Sequence, residues 1–242
     1  IYQNYHIFSD QPITDKMPLY QINSLSKNAH YLVWLITETE QALWHQLSPS
    51  PLALQAYHKL THPRKRLEWL ATRLALKELC RQLAHPYQGI VKDAGGRPYL
   101  IASHFYISLS HGFPFALAAI SKQAPIGADI QLLHPKLKKV KKKFLNAAES
   151  KDSGQDLAKL GIYWSAKEAI YKAYGKSGLS LSQDISIKPF SIHQQGTLQG
   201  QAKTHDFTID YSFIKDHVLA CCQVNTNYNK FVPDNKLNAW DF

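Results

Sequence analysis

Cysteine is scarce. Three residues in 242, Cys80, Cys221 and Cys222, cannot build a disulfide framework. Two of them are adjacent and would bond to each other only with strain. Buried, inert thiols in a reducing compartment are the expectation, and with it a cytoplasmic location. Long apolar runs are missing as well. None approaches the roughly 20 residues of a membrane span, so no membrane contact is expected. The opening stretch Ile1-Tyr-Gln-Asn-Tyr-His lacks a basic segment followed by an apolar one, so no secretory signal is expected. Acidic residues are the minority: 18 Asp and Glu against 28 Lys and Arg leave a net charge of +10. That balance calls for an anionic partner, whether nucleic acid, phosphorylated small molecule, acidic protein or membrane surface, and charge alone does not choose. Hydrophobic content of 45% with 19% charged residues is that of an ordinary globular chain, which excludes disorder as the organising state.

Periodicity supplies the elements. Tyr31–Ile36 reads as a buried strand and Glu38–Leu47 as a short helix, followed by a break at Ser48-Pro-Ser-Pro. The strongest helix runs from about Pro63 to Leu83, with Leu67, Leu70, Ala71, Leu74, Leu79 and Leu83 as its apolar stripe. Gly95-Gly-Arg-Pro is a tight turn. His104–Leu109 alternates. Phe115–Ile120 and Pro125–Gln131 read as a strand pair joined by Ser121-Lys-Gln-Ala, with Ile126, Ala128 and Ile130 on one face and Asp129 and Gln131 on the other. Trp164–Tyr174 is a helix stopped at Gly175. Asp184–Pro189, Thr208–Ile214 and Val218–Val224 read as closing strands, and a polar tail follows from Asn225.

Four clusters can carry chemistry. Arg66 and Arg73 lie two turns apart on the long helix and could grip a phosphate, or simply form a solvated face. Gly96-Arg97-Pro98 and Ser108-Leu-Ser110-His111-Gly112 place donors beside glycines, although such a histidine also serves structure alone. Gly127-Ala-Asp129-Ile-Gln131 offers two side-chain oxygens on one strand face, suited to Mg²⁺, or an aspartate capping a turn. Trp164, Glu168 and Lys172 share a helix face at i, i+4, i+8, an acid beside a cation. Here Ser165 and Glu168 also fit a capping box, and Glu168 with Lys172 an ordinary surface ion pair.

In this order and spacing the clusters resemble the 4′-phosphopantetheinyl transferases of the surfactin-synthetase type. Their pattern runs through a basic helix, a G-K-P turn, a strand ending in S-H, a G-x-D-x-E strand, and W-x-x-K-E-A-x-x-K before glycine. This chain has Arg66–Lys77, Gly96-Arg-Pro, Ser110-His111, Gly127-Ala-Asp-Ile-Gln and Trp164-Ser-Ala-Lys-Glu-Ala-Ile-Tyr-Lys, with Phe144, Glu149 and Leu179-Ser-Leu alongside. The likeness spans roughly Leu32 to Val224. It implies an α+β fold of two pseudo-symmetric α/β halves with the active site between them: residues 1–122 with a coenzyme A-binding helix, and 123–226 with the metal and catalytic residues. Residues 227–242 form an extension. It implies coenzyme A as substrate, bound by Arg66, Arg73, Arg97, Ser110, His111 and Lys172. It implies Mg²⁺ held by Asp129 and Glu168, with Gln131 as a third, weaker candidate. Glu168 and Lys172 would be catalytic, with Glu168 the base and His111 its alternative. An apo acyl or peptidyl carrier protein would receive the group, and a monomer is expected.

Two positions depart from the pattern. Gln131 stands where glutamate is usual, which removes an anionic ligand. Arg97 stands for lysine, which keeps the charge and changes its geometry. Two rival readings remain: a non-catalytic coenzyme A-binding scaffold, and a nucleic-acid-binding protein supported by Lys136-Leu-Lys-Lys-Val-Lys-Lys-Lys. Against the second, Leu137, Val140 and Phe144 make one apolar helix face, no accompanying nucleic-acid motif is present, and the run could instead attract an acidic carrier.

Overall fold

The computed structural model describes residues 19–175 and 178–224. The elements run β1 (Leu19–Ser26), β2 (Ala29–Leu35), α1 (Glu40–Leu47), α2 (Pro51–His58), α3 (Pro63–Gln82), β3 (Ile90–Lys92), β4 (Pro98–Leu100), β5 (Tyr106–Gly112), β6 (Phe115–Ser121) and β7 (Ile126–Leu132). They continue with α4 (Lys136–Val140), α5 (Ala147–Ser153), α6 (Leu157–Tyr174), β8 (Ile185–Ile187), β9 (Gln195–Ala202), β10 (His205–Ile214) and β11 (His217–Val224). The expected mixture of helix and strand holds. The expected tail, 227–242, lies outside the described residues, as does Lys176.

Two antiparallel sheets form the frame, ordered β1-β2-β6-β5 and β7-β11-β10-β9-β8. Alternation along the strands gives each sheet two apolar faces. Leu32, Trp34, Ala116, Ala118 and Ile120 meet α3, while Tyr31, Val33, Phe115, Leu117 and Ala119 meet Ile126, Ala128, Ile130, Leu219 and Cys221 of the second sheet. The far face of that sheet, through Val218, Ala220 and Cys222, packs on α6. The result is a helix, two stacked sheets, and a second helix. All three cysteines are buried and free. Among the described residues no helix is long and apolar enough to cross a membrane.

Several sequence expectations change. Strands 115–121 and 126–132 exist, yet they do not pair with each other: β6 already bonds β2 and β5 on its two edges, so β7 pairs with β11 instead. The helix expected from Trp164 begins at Leu157, capped by the Asp156 side chain. Ser165 and Glu168 are therefore mid-helix, and the capping-box reading fails. Ser165 Oγ donates to Val218 O at 3.2 Å. A capping box does occur at Asn146 and Glu149, opening α5. The break at Ser48 is real, but Ser50 and Pro51 start a further helix there, since proline suits the first helical position. The lysine run forms α4 and a 3₁₀ turn, with Leu137 and Phe144 buried. Phe144 meets Trp164 edge-on with centroids 5.0 Å apart.

Candidate active site

The two sheets meet along β5 and β7 without a shared ladder. Serine hydroxyls take the place of strand pairing. Ser108 Oγ accepts the Ala128 N–H at 2.9 Å, and Ser110 Oγ accepts the Ile130 N–H at 3.3 Å. The alternation that turns Ile107 and Leu109 toward α3 sends both hydroxyls across this seam.

Asp129 sits at the crossing. Its side chain faces α6, and its Oδ1 accepts from Ser110 Oγ at 2.7 Å and from Lys172 Nζ at 2.8 Å. Lys172 Nζ also donates to Ala128 O at 3.0 Å. The second carboxylate oxygen, Oδ2, is buried and has no hydrogen-bond partner among the described residues. Close approach of α6 to β7 makes this convergence possible. A Cβ at Gly127 would lie 1.8 Å from Ala169 O, so only glycine lets the helix sit so near.

Glu168, one turn before Lys172, lies at electrostatic range of both. Burial and the Asp129 charge push its pKa up, and Lys172 pulls it down. Two carboxylates beside an unpartnered buried oxygen suit a hard cation that completes its shell with water and ligand oxygens, as Mg²⁺ does. No larger group of metal-binding side chains occurs among the described residues. Gln131 Nε2 donates to Leu132 O at 2.8 Å, and among the described residues no hydrogen bond joins it to this pair.

Beside Asp129 opens a cleft of about 380 Å³. Its wall takes Lys65, Trp69, Thr72 and Arg73 from α3, Lys92, Asp93 and Arg97 from the β3–β4 region, Ser110 and His111 from β5, and Lys172 from α6. Five lysine and arginine side chains against one carboxylate make it a site for a polyanion. The carboxylate, Asp93, is already used. It accepts from Arg97 N at 2.9 Å and Tyr99 Oη at 3.1 Å, which shapes the turn that presents Arg97. The Arg97 guanidinium lies against Gly175 at the end of α6, where a Cβ would come within 1.9 Å of it. Arg73 stacks its guanidinium 3.5 Å from the Trp69 ring centroid, and burial brings its pKa down to about 10. His111 Nδ1 stands 3.3 Å from Glu68 Oε2. Burial lowers the His111 pKa, partly offset by Glu68.

Of the residues singled out from sequence, Arg73, Arg97, Ser110, His111 and Lys172 share the cleft wall. Asp129 reaches it through Ser110 and Lys172. Arg66 does not line it. Its Nε donates to Leu60 O at 2.8 Å, and its guanidinium lies over the Tyr57 ring and 3.5 Å from Glu40. The cleft face of α3 is instead Lys65, Trp69 and Thr72, spaced i, i+4, i+7. That spacing was readable, but the Arg66–Arg73 pairing drew attention to the neighbouring face. Lys92 and Glu68 carried no local signal. The neighbouring Lys167 is wholly buried and structural: its Nζ donates to Glu149 Oε2 at 2.5 Å, Ile185 O at 2.7 Å and Leu181 O at 2.9 Å.

Residues 125–222 match the family model of the 4′-phosphopantetheinyl transferase superfamily, ACPS. The matched stretch contains Asp129, Gln131, Glu168 and Lys172, while the α3, β3–β4 and β5 residues of the cleft precede it. No curated protein sequence matches the chain.

Proposed function

We propose that the protein transfers the 4′-phosphopantetheine group of coenzyme A to a serine of an apo acyl or peptidyl carrier protein. It would act as a surfactin-synthetase-type enzyme, as a cytoplasmic monomer, with Mg²⁺ bound by Asp129 and Glu168. In this reading residues 1–122 and 123–226 are the two pseudo-symmetric halves, and the nucleotide lies between them. The observation that carries it is the junction at Asp129: one carboxylate joined to Ser110 of β5 and Lys172 of α6, opening on a cleft lined by five cations.

The chemistry requires few parts. The carrier serine oxygen attacks the β-phosphorus of coenzyme A, and a new O–P bond forms. The bond from that phosphorus to the bridging oxygen breaks, and 3′,5′-ADP leaves with the electron pair. Arg73, Arg97, Ser110 and His111 orient the nucleotide and its phosphates. Lys172 meets the charge that gathers on the pyrophosphate as the bond breaks. Glu168 takes the serine proton. Bound at these carboxylates, Mg²⁺ supplies neutralisation of the pyrophosphate oxygens. Gln131 holds its amide on the backbone and takes no part.

The test is mass spectrometry of apo-carrier proteins incubated with the protein, coenzyme A and Mg²⁺. The expected result is a gain of one phosphopantetheine group, abolished by EDTA and in Glu168→Ala. Coenzyme A binding without transfer to any carrier, unchanged by Gln131→Glu, would overturn the enzyme reading in favour of a binding scaffold.

A further inference from the structure

The chemistry above leaves the buried carboxylates Glu68, Glu78 and Glu149 unused, and Glu68 is the one set against a histidine of the cleft wall. Glu68, on α3, is 3% exposed. Such burial is costly unless the charge is matched. Its Oε2 lies 2.8 Å from Lys65 Nζ and 3.3 Å from His111 Nδ1, and its Oε1 lies 3.4 Å from Arg64 Nε. Lys65 and Arg64 have side chains 54% and 48% exposed, so water can serve them. His111 is scarcely less exposed, at 41% of its side chain, and what sets it apart is its place: it arrives from β5, its ring stands on the cleft wall, and among the described residues Glu68 is the carboxylate within ion-pair distance of it. Helix α3 grips the same turn a second time, with the Arg64 guanidinium 4.6 Å from the Phe113 ring centroid.

A carboxylate beside one imidazole nitrogen decides which nitrogen bears the proton, and so what the other presents. Carboxylates orient catalytic and metal-binding histidines in this way. We propose that Glu68 is a positioning residue for His111: its Oε2 holds the imidazole proton on Nδ1 and keeps Nε2 turned toward the phosphate-bearing ligand of the cleft. An unrestrained imidazole prefers the other tautomer, so the arrangement leaves a signature. The ligand's identity as coenzyme A rests on the proposed function. The placement of the proton does not.

The charged groups that act on His111 are Glu68 and Lys65 on α3, Lys172 on α6 and Asp129 on β7. Burial lowers the pKa of His111. Among the charges Glu68 pulls it up most, Lys65 and Lys172 push it down, and Asp129 adds a smaller upward pull. Removing the Glu68 charge therefore lowers it further.

Long-range ¹H–¹⁵N spectra of histidine-labelled protein test this directly, with the His111 signal assigned by its loss in His111→Gln. The wild-type protein is expected in the Nδ1–H form, with Nε2 shifting when coenzyme A is added. Glu68→Met, which has no acceptor, should move His111 to the Nε2–H form, lower its pKa and raise KM for coenzyme A severalfold more than it changes kcat. Glu68→Gln, which keeps an acceptor oxygen without charge, should retain the Nδ1–H form and much of the KM while showing the same lowered pKa. A wild-type His111 in the Nε2–H form overturns the positioning role, even if no Glu68 variant folds. So does a Glu68→Met variant with tautomer and pKa unmoved. Coenzyme A that binds nowhere on the wild-type protein would instead overturn the transferase reading, and the tautomer would still report on Glu68.

Discussion

Glu168 and Asp129 are two acids within electrostatic range of each other and of Lys172. Asp129 has one oxygen bonded to Ser110 and Lys172 and the other unpartnered. Glu168 is half-buried and feels the Asp129 charge, and both effects raise its pKa against the pull of Lys172. The sign for stability follows. A carboxyl that binds its proton more tightly folded than unfolded weakens the fold as pH rises through its unfolded and then its folded pKa. In metal-free protein, Glu168→Gln is therefore expected to raise the melting temperature at about pH 8 and to shift it much less at about pH 4, where the carboxyl is mostly protonated in both states. Thermal melts in EDTA at both pH values check this. An equal shift at both, or a lowered midpoint at the higher pH, would contradict it. Under the proposed function Mg²⁺ should stabilise the wild-type protein and do so far less in the variant, which would lack one of the two anionic ligands.

At the scale of elements, the fit of α6 on β7 sets the site. The helix sits close because Gly127 has no side chain, and its i, i+4 spacing then delivers Glu168 and Lys172 to Asp129. Gly127→Ala inserts a methyl group against the Ala169 carbonyl and the Ala173 amide, 1.8 and 2.6 Å away. The expected loss is at least about 2 kcal/mol of stability, because overpacking against backbone cannot relax through a rotamer change. A helix displaced by an ångström should lower kcat about 100-fold. Calorimetry and steady-state kinetics on the same preparation measure both, and a variant with native midpoint and native kcat would refute the packing argument.

The basic element is separate from this machinery. Lys138, Lys139, Lys142 and Lys143 are exposed on α4 and the turn after it, held to α6 by Phe144 against Trp164. Trp164, which anchors them, stands one turn before Glu168 on α6. Lys139→Glu with Lys142→Glu should raise KM for the carrier protein and flatten its salt dependence, and leave KM for coenzyme A unchanged. An unchanged carrier KM at low and high salt would remove the steering role.

Across the whole molecule the decisive feature is the seam between sheets. Their strands stay in separate ladders, so side chains must satisfy the β7 amides that face β5. Ser108 and Ser110 do this for Ala128 and Ile130, and the second serine also ties Asp129 to the cleft. Ser108→Ala leaves the Ala128 N–H buried without an acceptor. A loss of about 1–3 kcal/mol is expected, or about 2–4 °C of melting temperature per kcal/mol for a chain of this size. KM for coenzyme A should change little, since the Ser110–Asp129–Lys172 contacts remain. Differential scanning calorimetry reads the loss, and an unshifted midpoint would show that the hydroxyl is replaceable.

The chain by itself determined the local pieces. Period and breakers located the long helix at Pro63, the strand faces of β7 and the glycine stop at Gly175, because these depend on neighbours within a turn or a strand. Order and spacing of short motifs brought Asp129, Glu168, Lys172, Ser110 and His111 into view. Only tertiary structure decided the rest. Whether Glu168 caps a helix or faces a site depended on where α6 begins, and Asp156, outside the motif, settled that. Whether β6 pairs with β7 depended on β2 and β5 already filling both edges of β6. Which basic residues of α3 line the cleft depended on Tyr57 and Glu40 drawing Arg66 away and on Trp69 holding Arg73. Glu68 gained meaning only when β5 brought His111 against it. The strand pairing of β7, the contact of Arg66 with Glu40 and the meeting of Glu68 with His111 each join residues far apart in sequence, and a one-dimensional pattern carries no term for their distance.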